Sequence, residues 1–153
     1  NYTLFDRYLL TASLRADGSD KFGAGNRWGY FPSAALGWRV SDEAFMENVE
    51  LVSNLKLRLS YGATGNERIP PYTYLAQLDP SFYASNDEII FGLAPSSLPN
   101  PELQWEVTNQ FNAGLDVGFF DDRLTLNADI YQKITTDLLL NAPIPAQSGF
   151  NAQ

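Results

Sequence analysis

Cysteine and histidine are both absent from the 153-residue sequence. No disulfide framework and no cysteine-built metal site can form. The commonest general base and the commonest metal ligand are missing with them. Basic residues are scarce, with ten Lys and Arg against eighteen Asp and Glu, a net charge of −8. Nucleic-acid binding needs a basic face, so nucleic acid is excluded as a partner. No run approaches the roughly 18 apolar residues of a transmembrane helix. Nucleophile–base pairs lack their usual members, and no strand–Gly–Ser nucleophile motif occurs. The sequence is therefore read as non-enzymatic, with no cofactor and no metal.

What is present is aromatic side chains, at 14% of residues, and alternation of apolar with polar positions. The stretch Trp105–Leu140 shows it best. Trp105, Val107, Phe111, Ala113, Leu115, Val117 and Phe119 share one parity. Glu106, Thr108, Gln110, Asn112, Gly114, Asp116 and Gly118 share the other. After Asp121-Asp122-Arg123, Leu124, Leu126, Ala128 and Ile130 alternate with Thr125, Asn127, Asp129, Tyr131 and Lys133. Period two around a short polar turn predicts a β-hairpin with one apolar and one wet face. Both arms exceed the roughly 5–6 residues usual for soluble strands. They match the 9–11 or so tilted residues of a membrane-spanning strand.

The same alternation recurs earlier. Phe5-Asp6-Arg7 reads as a turn, and Tyr8–Ala16 as a strand with Tyr8, Leu10, Ala12, Leu14 and Ala16 on the apolar side. Asp17–Gly29 is a loop rich in Gly, Asp, Ser and Asn. Tyr30–Val40 is a second strand, with Pro32 at its start, where a missing N–H is tolerated. Ser41–Asn54 breaks the pattern: Ser41 is a good N-cap, and Ala44, Phe45, Val49 and Val52 predict a short helical turn. Leu55–Thr64 alternates again. Gly65–Gln104 is a long, proline-rich connection of the kind that usually carries function, with a small extra strand expected around Glu88–Gly92. Asn141–Gln153 opens another loop.

Five strands then run up, down, up, down, up. The connections at one end are long and those at the other mostly short. Outer-membrane barrels pair long extracellular loops with short periplasmic turns. Tyr8, Tyr30, Trp38, Tyr61, Trp105 and Phe119 share the apolar parity near strand ends, as the aromatic girdles at the two membrane interfaces require. Arg15, Arg39, Lys56, Arg58, Glu106, Asp116, Asp129 and Lys133 all fall on the polar parity, which avoids the roughly 2–4 kcal/mol cost of an Arg or Lys facing lipid at the midplane. Inward Arg39, Arg58, Glu106 and Asp116 are expected to form ion pairs in the wall or against a plug. The fold class is all-β, an antiparallel transmembrane β-barrel fragment of about five long strands. The chain starts within strand-like sequence and is expected to be a piece of a longer protein.

Tyr8–Ser19 (Tyr-Leu-Leu-Thr-Ala-Ser-Leu-Arg-Ala-Asp-Gly-Ser), followed by Lys21-Phe22-Gly23, resembles a barrel segment of the SusC/RagA family of TonB-dependent outer-membrane transporters. So do Phe31–Arg39, Leu55–Asn66, Asn100–Glu106, Gly114–Asp116 and Asp137–Leu139. The resemblance implies a 22-stranded barrel with an N-terminal plug, both largely outside residues 1–153. It implies import of oligosaccharides or peptides, a lidding SusD-like lipoprotein, energy from the TonB complex, and an outer membrane lipid surround. A siderophore receptor on the same plan and a soluble β-sandwich binding module are the alternatives.

Weaker signals are read as structural. Gly23-Ala24-Gly25 has Trp28 where a nucleotide loop needs its third Gly. Glu67, Asp79, Asp87 and Glu88 lack calcium-loop spacing and are read as solvated loop acids. The candidate substrate or lid contacts are Arg27, Trp28, Tyr72, Tyr74, Phe82 and Tyr83, whose aromatic faces can stack on sugars or apolar peptide side chains. On the facing assignment, Leu57→Arg is expected to impair barrel assembly while Arg58→Leu is spared. Comparing the heat-resistant folded fraction of both variants in membranes checks this, and equal behaviour would overturn the assignment.

Overall fold

The computed structural model describes residues 1–85, 87–142, 144, 145, 147 and 150. Its strands are β1 (Tyr2–Leu4), β2 (Tyr8–Gly18), β3 (Trp28–Arg39), β4 (Val52–Asn66), β5 (Leu78–Ser85), β6 (Glu88–Pro95), β7 (Glu106–Phe119) and β8 (Leu124–Thr136). Six form one sheet in the order β1-β2-β3-β4-β7-β8, and β5 and β6 form a separate hairpin. The five long strands anticipated from alternation are β2, β3, β4, β7 and β8. Each holds between 11 and 15 residues.

Register preserves the faces. Across β7 and β8, Val117 lies opposite Leu126, Leu115 opposite Ala128 and Ala113 opposite Ile130. On the other side of the sheet, Asp116 meets Asn127 and Gly114 meets Asp129. Between β3 and β4, Trp38 faces Leu57, Leu36 faces Leu59 and Ala34 faces Tyr61. A slip of one residue would turn every apolar side chain to the polar face, so one-sided patterning fixes the pairing.

The short connections are tight. Phe5 and Asp6 adopt positive φ (50° and 54°), and Arg7 N donates to Leu4 O at 3.2 Å. Two such residues in succession match the right-handed twist of flanking strands. At the β7–β8 turn, Phe120, Asp121 and Asp122 are all left-handed, and Asp122 accepts a 2.7 Å bond from Ser53 Oγ. The 40–51 connection joins this end: Arg39 N donates to Arg7 O, and Phe120 N to Leu51 O.

Three expectations need correction. The helical turn is two 3₁₀ turns, Val40–Asp42 and Ala44–Met46, flanked by Arg39 and Glu43 with no side-chain cap. Ser41 instead bonds Asp42 Oδ1 at 3.2 Å. Three-residue turns are what a short strand-to-strand link accommodates. Pro32 lies inside β3 rather than at its start, and the regular β3–β4 register begins immediately after it at Ser33. Trp105 precedes β7 and is buried (8% exposed) instead of joining a girdle. Its ring packs on the fully buried Phe22 at 5.3 Å.

Two compact units emerge. One comprises residues 1–16, 30–65 and 107–136, essentially the main sheet; the other comprises 17–29, 66–106 and 137–153. Within the first, Phe31 is buried where Gly65 has no side chain, and a Cβ there would overlap its ring. Arg15 covers the same ring at 5.3 Å, a cation–π arrangement. Gly65→Val is expected to displace Phe31 and destabilise the folded barrel by about 1–3 kcal/mol. The melting temperature of the heat-modifiable band of the full-length parent reads this out, and an unchanged value would remove the packing role given to Gly65.

Candidate functional site

The second unit holds all six candidate contact residues, and its construction starts from Phe22 and Trp105. Their tilted pair forms a small apolar centre. Trp105 Nε1 donates to Arg27 O at 3.3 Å, and Ser19 N donates to the same carbonyl at 2.9 Å. Asn26 Nδ2 reaches Leu103 O, and Lys21 Nζ reaches both Glu67 O (3.1 Å) and the Glu67 carboxylate (3.6 Å). Gly23 lies so close to Pro101 O that a Cβ would come within 3.2 Å. Glycine at the first position of Gly23-Ala24-Gly25 eases this close approach to the Pro101 carbonyl. Sequence spacing could not show that residues 17–29 and 66–106 are held to each other.

The candidates do not form one platform. Trp28 is exposed, with its ring over Gly18. Arg27 contributes its carbonyl to the loop framework while the residue stays exposed. Tyr74 is half-buried near Gly23, and its carbonyl accepts from Asn100 N at 3.1 Å. Tyr72 is exposed and held at φ 63°, a conformation rare for a bulky side chain. Phe82 and Tyr83 are consecutive in β5 and therefore point to opposite faces of the hairpin. Phe82 meets Phe91 edge-on at 5.7 Å, beside exposed Ile89 and Leu93. Tyr83 instead lies over Gly92. The extra strand expected at Glu88–Gly92 exists as Glu88–Pro95, and its partner β5 was not foreseen because Pro80 and Ser81 mask its alternation.

A cavity of about 600 Å³ in this unit went unseen in the sequence. Arg68, Thr73, Gln77 and Asn100 supply polar groups to it, and Ile69 and Leu103 supply apolar ones. Leu138–Leu140, just past the end of β8 at Thr136, also line it. The signal that could have found it is the clustering of Arg, Thr and Gln among prolines. Glu106 holds this region together, accepting from Asn66 Nδ2 (2.9 Å) and Leu139 N (3.1 Å). It pairs with an amide and a backbone N–H rather than with a cation.

The loop acids do not converge. Glu67 is engaged by Lys21, while Asp79 and Glu88 lie near opposite ends of the hairpin, about 20 Å apart along the strands. Among the described residues, no group of three or more acids is placed to hold a metal ion.

On the polar face of the main sheet, Arg58 bonds both oxygens of Asp116 (2.8 and 2.9 Å) and also reaches Asp129 at 3.0 Å. Asn127 completes the set with a 2.7 Å bond to Asp116. Gly114 vacates the space: a Cβ there would press on the Arg58 guanidinium and Asp129. The expected wall ion pairs are realised for Arg58 with Asp116, and Arg39 reaches Asp42 at 3.9 Å. Arg58 neutralises two carboxylates, which corrects the expectation that Arg58→Leu is spared: that variant is expected to weaken the wall, though less than Leu57→Arg.

At the short-turn end, Glu43 clasps the aromatic girdle. Its Oε1 accepts from Tyr8 Oη (2.6 Å) and Trp38 Nε1 (3.0 Å), and its Oε2 accepts from Arg7 at 2.8 Å. Tyr8 and Trp38 stack at 6.3 Å. The Tyr8 and Trp38 bonds, with Arg7, hold the Glu43 carboxyl below its ordinary value against the opposing effect of burial. A lowered folded pKa means the stabilisation is fully present above the unfolded value and is lost as pH falls through the folded one. Glu43→Gln is expected to lower thermal stability at neutral pH and to match the parent once the pH has fallen below the lowered folded value. Parallel melts across pH test this, and a difference that persists in acid would contradict it.

Residues 1–153 match the family model described as TonB dependent receptor-like, beta-barrel. TonB-dependent receptor P39 of Formosa agariphila is 45% identical over 150 residues, which is 98% of this chain and 14% of that protein. TonB-dependent receptor SusC of Bacteroides thetaiotaomicron is 43% identical over 161 residues, covering 100% of this chain and 16% of that protein. A solved structure of the RagAB peptide transporter superposes with a TM-score of 0.81 at 35% identity, over 96% of this chain and 16% of that one. The chain thus spans 14–16% of the length of these relatives. The six-stranded sheet is a section of β-barrel wall, not closed within this segment. The chain belongs to the TonB-dependent receptor-like β-barrel family, and SusC and RagAB are among the proteins it resembles across nearly its whole length.

Proposed function

We propose that residues 1–153 are part of the barrel domain of a TonB-dependent importer in a bacterial outer membrane. The observation that carries this reading is the one-sided main sheet. Leu14, Leu36, Leu59, Leu126 and Ile130 remain exposed on its apolar parity, and no second layer covers them among the described residues. A soluble sandwich would pack that face against another sheet. Lipid is the solvent such a face requires, and closure by further strands is the only way to satisfy its edges. The plug and the remaining strands belong to the rest of the parent protein in this reading.

The substrate is an oligosaccharide or a peptide, taken up with a SusD-like lipoprotein as lid and with energy from TonB. Two similar proteins support this choice over a siderophore: one is called SusC and the other is a peptide transporter. The mixed polar and apolar cavity around Arg68, Thr73 and Gln77 suits a ligand with hydroxyl or amide groups along an apolar frame. Exposed Trp28, Tyr72, Phe82 and Tyr83 supply stacking or lid surface, with Arg27 and Tyr74 framing the loops. Catalysis has no part in the reading.

In the full-length parent, Trp28→Ala and Tyr83→Ala are each expected to weaken ligand binding about 2- to 10-fold without loss of barrel assembly. Uptake of a glycan and peptide panel by cells carrying each variant measures this. Uptake of iron chelates alone, or variants indistinguishable from the parent on every ligand taken up, would overturn the assignment.

A further inference from the structure

The cavity of the loop unit carries a charge opposite to that of the chain. The sequence has a net charge of −8. Arg68 is nevertheless the only ionised residue among the described residues that line the cavity. It enters the hydrogen-bond network through its backbone, whose N–H donates to Asn66 Oδ1 at 3.2 Å. Its guanidinium has no partner among the described residues. The carboxylates close to it in the chain or the cavity wall are engaged elsewhere. Glu67 pairs with Lys21 at 3.6 Å, and Glu106 accepts from Asn66 Nδ2 and from the N–H of Leu139. A free guanidinium offers a planar fork of donors that fits a carboxylate with two parallel bonds.

The other polar groups of the cavity are mainly amides. The side-chain amides of Gln77, Asn100 and Asn141 have no partner among the described residues. Each presents N–H donors and a C=O acceptor, the complement of a peptide group. The backbone behind two of them is fixed in advance. Asn100 N donates to Tyr74 O at 3.1 Å, Gln77 N to Ser97 Oγ at 3.0 Å, and Ser96 N to Gln77 O at 2.8 Å. Such preorganisation lowers the ordering cost of binding. The apolar wall is aliphatic, built from Leu103 and Leu138–Leu140, with Leu138 and Leu140 exposed. No aromatic ring lines the cavity among the described residues, so a sugar would find no face to stack on. Its volume of about 600 Å³ lies within the roughly 300–1,000 Å³ usual for ligand sites.

Resting on the importer reading above, we propose that this cavity receives the C-terminal end of a peptide substrate. The terminal carboxylate binds the Arg68 guanidinium, the last peptide groups meet the amides of Gln77 and Asn100, and an aliphatic last side chain lies against Leu103 and Leu138–Leu140. At a C-terminal residue the carboxylate and the side chain leave the same Cα, so one cavity with a single cation and an aliphatic wall takes both. An Asp or Glu side chain would use the cation and leave the leucines bare. A neutral oligosaccharide would use neither.

The test is retention of defined ligands by the full-length parent, purified with any lipoprotein that stays bound and read by mass spectrometry. The probes are random octapeptides ending in Leu as free acids, the same pool as C-terminal amides, a pool of free acids ending in Gly, and oligogalacturonate as an acidic sugar. The parent is expected to retain the Leu-ended acids about 10-fold over the amides. Arg68→Gln should bring that ratio to about 1, and Arg68→Lys should restore part of it, because the charge returns without the fork. Leu140→Ser should lower retention of Leu-ended acids about 2- to 5-fold and leave Gly-ended acids unchanged. Equal retention of acids and amides by the parent overturns the proposal, as does an acid preference that survives in Arg68→Gln. Arg68-dependent retention of oligogalacturonate in place of peptides also overturns it, and would make the cavity a uronate site. Peptides retained without regard to Arg68 or to the terminus overturn this site alone. A folded parent that retains neither peptide nor sugar overturns the importer reading, and this site with it.

Discussion

A strand that crosses hydrocarbon must give every backbone N–H and C=O to a neighbouring strand, because nothing in the solvent around it can accept or donate. That constraint governs the architecture of this chain. It demands long antiparallel strands in an unbroken ladder, with apolar groups on one face and polar groups on the other. The pairing of Trp38 with Leu57 and of Val117 with Leu126 obeys it, as does the confinement of Arg58, Asp116 and Asp129 to the opposite face. The left-handed turns, which leave the ladder, lie at strand ends, where other groups can satisfy the backbone, whereas Pro32 sits within β3 and gives up one N–H there.

Polar chemistry gathers at the strand ends and on the polar face of the sheet. Glu43 gathers Arg7, Tyr8 and Trp38 at the short-turn end, so a single carboxylate fixes two girdle aromatics and a turn. At mid-wall, Arg58 is clamped by two carboxylates in the space that Gly114 leaves. A bidentate guanidinium–carboxylate contact is directional, so it fixes β4 against β7 as well as balancing charge. In the loop unit, Phe22 and Trp105 provide the apolar contact that lets two long connections carry a cavity.

The strands were legible because their signal is local. Alternation over ten or more residues identifies a strand and its two faces without knowledge of any partner, and the five long strands and the Phe5–Arg7 and Asp121–Arg123 turns follow from it. Ser41 shows where local reasoning falls short. A residue with good capping chemistry does not cap when the link is too short for an α-helix. Trp105 shows the same at the other end: its parity matched the strand, but Phe22, over eighty positions earlier, drew it into the loop unit.

The candidate site was legible only as a list. Aromatic residues in long loops could be named, yet nothing in their spacing says that Phe82 and Tyr83 fall on opposite faces of a hairpin or that Tyr72 and Trp28 are presented separately. The sequence by itself determined the all-β class, the two faces and the wet and apolar environments they need, because period-two patterning is a property of the strand alone. The tertiary structure decided which loops are tied together, that Arg58 serves two acids, and where a cavity opens. Those features depend on side chains from distant strands meeting in space, and their distances are set by register and packing rather than by any stretch of residues read alone.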